Sequence, residues 1–169
     1  PASNVHPIED YHGALLAELE RLVPNISPTH RMIGGTSNGA HTLGCAFHLD
    51  WDCHLDRFHV FVLWEGGAAS SVAPDYRAVA KLDKLIWVGE GAKGTKPSDY
   101  TFMESVQKRM EESNVDITYE AIQSSGHGPN DDAMAAMKTW IADVAIPHME
   151  NLIPVSYTHL RAHETQYHL

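Results

Sequence analysis

The sequence predicts an α/β protein with a parallel sheet of about four strands and flanking helices. Four short apolar segments alternate with segments of helical periodicity, and this order is typical of a parallel sheet. The second apolar segment, "FHVFVLW" at residues 58–64, has the density expected of a strand buried on both faces. The predicted strands are residues 31–34, 58–64, 82–89 and 115–123.

Helical patterns lie before, between and after these strands. In the first of them, leucines recur near helical spacing and acidic residues come early. Ser98 and Asn130 are suited to cap the third and fourth helices, and Pro147 is expected to stop the last one. The predicted helices are residues 6–25, 40–48, 98–113 and 131–145.

Composition excludes several classes of function. The 169 residues carry a net charge of −10, which argues against nucleic acid or an anionic membrane as the main partner. No apolar run of about 18 residues is present, so we expect no membrane span. Two cysteines are too few for a disulfide scaffold, and they do not indicate whether the protein lies in a reducing or an oxidising cellular compartment. The first ten residues lack a signal-peptide pattern and an initiating Met, so we expect a fragment.

One motif suggests nucleophilic chemistry. Residues 35–39, "GTSNG", form a G-x-S-x-G between a predicted strand and a predicted helix, which is the context of a nucleophile elbow. Gly35 and Gly39 would avoid Cβ clashes between strand and helix. Ser37 Oγ would then project at the carboxyl end of the sheet, and the Asn38 N–H would be an oxyanion donor. The alternative is a tight turn with an idle serine.

A histidine follows the fourth predicted strand. In "SSGHGPNDD", His127 lies just before a helix start, where the base of a serine hydrolase is expected. Gly126 and Gly128 would let this loop bend the imidazole toward Ser37. The alternative is an ordinary surface histidine, since the chain has twelve.

Together these segments resemble the α/β-hydrolase family over most of residues 8–146. The resemblance implies that Ser37 attacks an acyl carbon, that His127 takes and returns the proton, and that an acid orients His127. Within the family the sequence looks like an esterase, so a small-molecule carboxylic ester is the implied substrate. Residues 1–153 would be a partial hydrolase domain.

The acid is ambiguous. The family usually has G-E-x-D after the third of these strands, whereas this chain has Gly89-Glu90-Gly91-Ala92, with Ala92 in the Asp position. Glu90 is the nearest carboxylate and is ranked first. Some members carry the acid after the preceding strand, where this chain has Glu65, and Asp99 is ranked third.

The resemblance also leaves a gap. The family's sheet begins several strands before the elbow, and a loop there supplies a second oxyanion donor, but only a helix precedes the elbow here. We therefore expect an exposed strand edge and apolar face, through which a second copy could pair. A noncatalytic binding or assembly module of the same fold is the alternative function.

Two further segments carry no predicted function. Residues 154–169, "PVSYTHLRAHETQYHL", resemble translated sequencing-adapter read-through and are expected to be a disordered, non-native tail. Cysteines and histidines at positions 45, 48, 53, 54 and 59 lie close together but lack a recognised zinc spacing. We predict no metal site and no cofactor.

Overall fold

A computed structural model of the chain describes residues 7–67, 76, 79–92 and 106–152. Four parallel strands form one sheet in the order β1-β2-β3-β4, which confirms the predicted fold class. The predicted tail at residues 154–169 and the third-ranked acid Asp99 lie outside the described residues. The strands are β1 (Met32–Thr36), β2 (Val60–Trp64), β3 (Leu85–Gly91) and β4 (Ile117–Ile122).

The register brings the carboxyl ends of the strands to one edge of the sheet. Thr36 of β1 pairs with Trp64 of β2, and Trp64 pairs with Gly89 of β3. Gly91 at the end of β3 pairs with Ile122 at the end of β4. The segments that follow β1, β2 and β4 therefore begin beside one another, at the edge where open α/β sheets bind ligands.

Helices overlap the predicted residues 6–25, 40–48 and 131–145, and residues 106–112 of the predicted third helix are helical. The predicted cap of that third helix, Ser98, lies outside the described residues. Two features differ from the prediction: a short helix at Asp52–Leu55, and the end of the last helix. The sequence predicted that the last helix ends at Pro147, but the chain remains helical beyond this residue. The chain stays helical because a π-helical turn, Ile141–Ala145, precedes the proline, which then lies in the first turn of a new α-helical segment. The helices are α1 (Pro7–Leu22), α2 (Asn38–Leu49), α3 (Asp52–Leu55), α4 (which includes residues 106–112), α5 (Asp131–Trp140) and α6 (Ile146–Asn151).

The core lies on both faces of the sheet, and β2 shows this most clearly. All five of its residues are buried, as predicted for a strand covered on both sides. Phe61 and Leu63 pack toward α2 and α4, whereas Val62 and Trp64 pack toward α5 and α6. The sheet is thus held between two helical layers.

Helix α1 and strand β1 are less covered by other elements than the centre of the sheet is. Helix α1 has no buried residue, and β1 is an edge strand among the described strands. Large exposed apolar side chains on this side are those of Ile8, Tyr11, Leu15, Leu19, Leu22 and Met32. Within the described part of the chain β1 thus forms the strand edge expected from the sequence, and most of these exposed apolar side chains belong to α1 and not to the sheet. No helix within it is long and apolar enough to cross a bilayer.

Candidate active site

Ser37 occupies a strained turn between β1 and α2. Its backbone has φ 52° and ψ −116°, a region that residues with a side chain rarely adopt. Two hydrogen bonds hold it there: its N–H donates to the carbonyl of Trp64 at 2.8 Å, and its carbonyl accepts from the N–H of His41 at 2.9 Å. Backbone strain that is fixed in this way is characteristic of functional sites.

The glycines around Ser37 differ in importance. A Cβ on Gly35 would lie 2.4 Å from the carbonyl carbon of Gly39 and 2.6 Å from the nitrogen of Ala40, so only glycine fits there. A Cβ on Gly39 would meet nothing within 4 Å among the described residues. The expectation that both glycines are needed was therefore wrong for Gly39, because its missing side chain points away from the crossing of strand and helix.

Sequence reasoning missed a third glycine at the turn. A Cβ on Gly66 would lie 2.7 Å from the carbonyl oxygen of Ser37 and 2.6 Å from the Cβ of Ala40. Gly66 therefore lets the segment after β2 approach the elbow closely. Its signal was a glycine pair directly after a buried strand.

The first turn of α2 has backbone N–H groups that could donate hydrogen bonds to a negatively charged atom. Asn38 is the first residue of this helix, and the N–H groups of a first helical turn have no partner inside the helix. The helix dipole adds partial positive charge at the same end. The Ser37 side chain makes no capping hydrogen bond, which leaves its Oγ available for chemistry.

His127 contacts a carboxylate, and that carboxylate belongs to Glu65. Nδ1 of His127 lies 3.2 Å from Oε2 of Glu65. The other carboxylate oxygen, Oε1, accepts the N–H of Gly91 at 2.5 Å. The Glu65 side chain is 14% exposed and that of His127 is 69% exposed. The pair thus has a shielded acid that is fixed to β3 and an imidazole that faces solvent.

Glu90, which the sequence ranked first as the acid, lies in a different environment. It is the sixth residue of β3, it is buried, and it accepts a hydrogen bond from the hydroxyl of Tyr119 on β4. The structure therefore brings the second-ranked carboxylate to His127 instead. The physical reason is backbone direction, since Glu65 has a positive φ of 53° that turns it out of the β2 line.

Hydrogen bonds before and after His127 hold the loop that carries it. The hydroxyl of Ser125 is buried, donates to the carbonyl of Gly128 at 3.1 Å and accepts the N–H of Asn130 at 3.2 Å. Asn130 caps α5 as predicted, since its side-chain oxygen accepts the N–H of Ala133 at 3.0 Å. Sequence reasoning did not single out Ser125, because a serine in a loop gives no signal of burial.

Ser37 and His127 lie at the same edge of the sheet, but no hydrogen bond joins their side chains in this structure. A base must come within about 2.6 to 3.2 Å of its nucleophile during reaction, and such contacts often tighten only when substrate is bound. The described residues thus include a serine on a strained strand–helix turn, a histidine–carboxylate pair and the first turn of a helix at one edge of the sheet.

A cluster of two histidines and a cysteine lies apart from Ser37 and His127, between α1 and α3. Sγ of Cys53 is 3.1 Å from Nδ1 of His54, and Nε2 of His54 is 3.0 Å from Nδ1 of His12 on α1. Burial raises the pKa of the Cys53 thiol, so this cysteine stays protonated and is a poor nucleophile. Burial, with smaller effects of His12 and Arg57, lowers the pKa of His54 to about 4.

The Cys53 thiol and the rings of His54 and His12 thus form a chain of hydrogen bonds that connects α1 to α3. The described residues contain no group of three or more histidine, cysteine, aspartate or glutamate side chains arranged to hold a metal ion.

Solved structures match this arrangement of strands and helices. A carboxylesterase from Bacillus cereus matches with a TM-score of 0.54 and 15% identity, over 78% of this chain and 57% of that one. SOBER1 from Arabidopsis thaliana matches with a TM-score of 0.51 and 13% identity, over 79% of this chain and 61% of that one.

The chain has an α/β-hydrolase-like fold. It spans about three fifths of the length of the Bacillus cereus carboxylesterase and of SOBER1. No protein-family model matches the sequence, and a comparison with curated proteins gave no significant match. Ser37 and His127 lie at the carboxyl edge of the sheet, which is the edge where open α/β sheets bind ligands.

Proposed function

We propose that this chain carries the catalytic residues of a serine hydrolase that cleaves a small-molecule carboxylic ester. In this proposal Ser37 is the nucleophile, His127 is the general base, and the Asn38 N–H is an oxyanion donor. The observation that carries it is the strained backbone of Ser37, held at a strand–helix turn on the same sheet edge as a histidine–carboxylate pair.

The reaction would follow acyl-enzyme chemistry. Nε2 of His127 accepts the proton of Ser37 Oγ while Oγ bonds to the ester carbonyl carbon, and the carbonyl oxygen becomes an oxyanion beside the Asn38 N–H. The C–O bond to the alcohol then breaks, and His127 gives its proton to the leaving alkoxide. Water repeats the sequence on the acyl-enzyme, releasing the carboxylic acid and restoring Ser37.

Glu65 is the acid that we propose in place of Glu90. Its carboxylate contacts Nδ1 of His127, which favours the tautomer with the proton on Nδ1 and leaves Nε2 free to act as base. The N–H of Gly91 holds the other oxygen, so the carboxylate has little freedom to turn away. Glu90 is engaged with Tyr119 and is suited to stabilise β3 against β4.

The proposed substrate class, a carboxylic ester, rests on a structural neighbour and on the charge of the chain. One structural neighbour bears the name carboxylesterase, and the resemblance of the sequence is to esterases. The mechanism uses side chains and backbone groups of the chain itself and calls for no cofactor. The net charge of −10 makes neutral or cationic esters better candidates than polyanionic ones.

Burst kinetics with p-nitrophenyl acetate would test this function. We expect an initial burst of p-nitrophenol, from acylation, followed by slower turnover, and we expect both to be lost in Ser37→Ala and His127→Ala. Ser113→Ala is the matched control, because its hydroxyl donates to the carbonyl of Arg109, away from the site. Hydrolysis that persists in Ser37→Ala at the wild-type rate would refute the proposal.

A noncatalytic binding or assembly module is the second candidate. The observation that favours it is the missing hydrogen bond between Ser37 Oγ and His127, together with the high exposure of His127. A chain shown to be folded that gives neither burst nor turnover would support this candidate.

A further inference from the structure

We propose that Trp64 is a positioning residue that fixes the location of the proposed base, His127, relative to the proposed nucleophile, Ser37. This inference rests on the proposed function of Ser37 and His127 and extends it to a residue at the end of β2. Trp64 would act through its neighbours and would not touch the substrate.

Trp64 is bonded to both segments of the site. Its indole N–H donates to the backbone carbonyl of His127 at 2.9 Å. Its own carbonyl accepts the N–H of Ser37 at 2.8 Å. The next residue, Glu65, contacts the His127 imidazole. The short segment formed by Trp64 and Glu65 therefore joins the elbow after β1 to the histidine loop after β4.

The indole is itself held rigidly. Trp64 is 1% exposed and stacks on Trp87, with ring centroids 6.1 Å apart and an angle of 17° between the planes. Gly89, which pairs with Trp64 in the sheet, makes room for both rings, since a Cβ there would lie 2.2 Å from one indole and 2.7 Å from the other. A locked donor fixes its acceptor better than a mobile one does.

His127 needs such an anchor. Its imidazole is 69% exposed, and the contact with Glu65 is open to competition from water on the imidazole side. The bond from the Trp64 indole reaches the same residue through its backbone and is shielded by the stacked rings. A buried donor that lost this acceptor would be left unsatisfied, which opposes movement of the loop.

Trp87 provides a matched control. Its indole N–H is buried and has no hydrogen-bond partner among the described residues. Trp87→Phe therefore removes an indole N–H that bonds to no described group, from the other half of the same stacked pair. Trp64→Phe removes an equal volume and, in addition, the bond to the His127 carbonyl.

Two measurements on these variants test the proposal. The first is the rate at which a fluorophosphonate labels Ser37, with kcat and KM for p-nitrophenyl acetate. We expect Trp64→Phe to lower the labelling rate and kcat about ten- to a hundredfold with KM nearly unchanged, since the base is misplaced and the binding surface is not. Trp87→Phe keeps an aromatic ring against Trp64 and keeps the bond to the His127 carbonyl, so it should lower both by less than Trp64→Phe does. The second measurement is hydrogen exchange of the amides of Ser125 and Asn130, which donate to the Ile122 carbonyl and the Ser125 hydroxyl at the two ends of the histidine loop and should exchange faster in Trp64→Phe alone.

These measurements distinguish a failure of the proposed hydrolase function from a failure of the inference about Trp64. If wild type neither labels nor turns over, the proposed function fails, and hydrogen exchange still decides whether Trp64 holds the loop. Equal effects of Trp64→Phe and Trp87→Phe in both measurements would overturn the inference. If Trp64→Phe does not fold, benzothienylalanine at position 64 keeps the ring volume and replaces the N–H by sulfur, and the same outcomes apply.

Discussion

Replacing Glu65 by glutamine separates its proposed role from that of Glu90. In Glu65→Gln the side chain keeps its size, and its oxygen can still accept the N–H of Gly91. The amide group then faces Nδ1 of His127 and can only donate to it. The imidazole must place its proton on Nε2, so the nitrogen that should accept the Ser37 proton is already protonated.

The size of the effect follows from the exposure of the pair. Loss of the acid from a fully buried triad lowers kcat by about ten-thousandfold, because the histidine is trapped in the wrong tautomer. The His127 side chain is 69% exposed, so water can partly stabilise the productive tautomer. We therefore expect a fall of about a hundred- to a thousandfold in kcat/KM, which corresponds to about 3 to 4 kcal/mol.

The assay is the pre-steady-state burst with p-nitrophenyl acetate, compared between Glu65→Gln and Glu90→Gln. Glu90→Gln keeps an oxygen that can accept from Tyr119 and should change kcat/KM by no more than about threefold. A larger loss in Glu90→Gln than in Glu65→Gln, with both variants folded, would refute the assignment of Glu65.

Four further predictions concern the scaffold. Gly35→Ala should lower the free energy of unfolding in urea by about 1 to 3 kcal/mol, because its Cβ would overlap the backbone of Gly39. Gly39→Ala should instead raise it by up to about 1 kcal/mol, since the new methyl meets open space in a helix; equal losses in both variants would contradict the elbow geometry. The lowered pKa of His54 means that the unfolded chain takes up a proton at a higher pH than the folded chain does. Stability should therefore be fully present above pH 6.5 and fall by at most about 3 kcal/mol as the pH drops to about 4, and His54→Gln should flatten this slope in urea titrations at several pH values. Asn130→Ala should cost about 1 kcal/mol by removing the cap of α5, and a thermal melt that matches wild type would contradict that role.

The fold was largely predictable because its signals are local. Residues 58–64 are apolar on both faces, which identified a central strand, and "RMIG" before the serine motif identified the strand that leads to the elbow. Asn130 was identifiable as a cap because it precedes an acidic helix start. The helical continuation past Pro147 was not predictable, since the sequence carries no signal for a π-helical turn before a proline.

The identity of the acid could not be decided from the sequence. Glu65 and Glu90 both lie at the carboxyl ends of neighbouring strands, and both precede a glycine. What separates them is that Glu65 leaves its strand with a positive φ, whereas Glu90 continues in β3 and faces Tyr119. A positive φ at a residue with a side chain depends on tertiary contacts, so local sequence preferences do not reveal it.

The central claim, that Ser37 is an activated nucleophile, is tested most directly by locating a fluorophosphonate adduct with mass spectrometry. We predict one adduct on Ser37 of the folded chain, absent in Ser37→Ala and strongly slowed in His127→Ala. A folded chain that gives no adduct, or an adduct on Ser37 that forms equally fast without His127, would contradict the account.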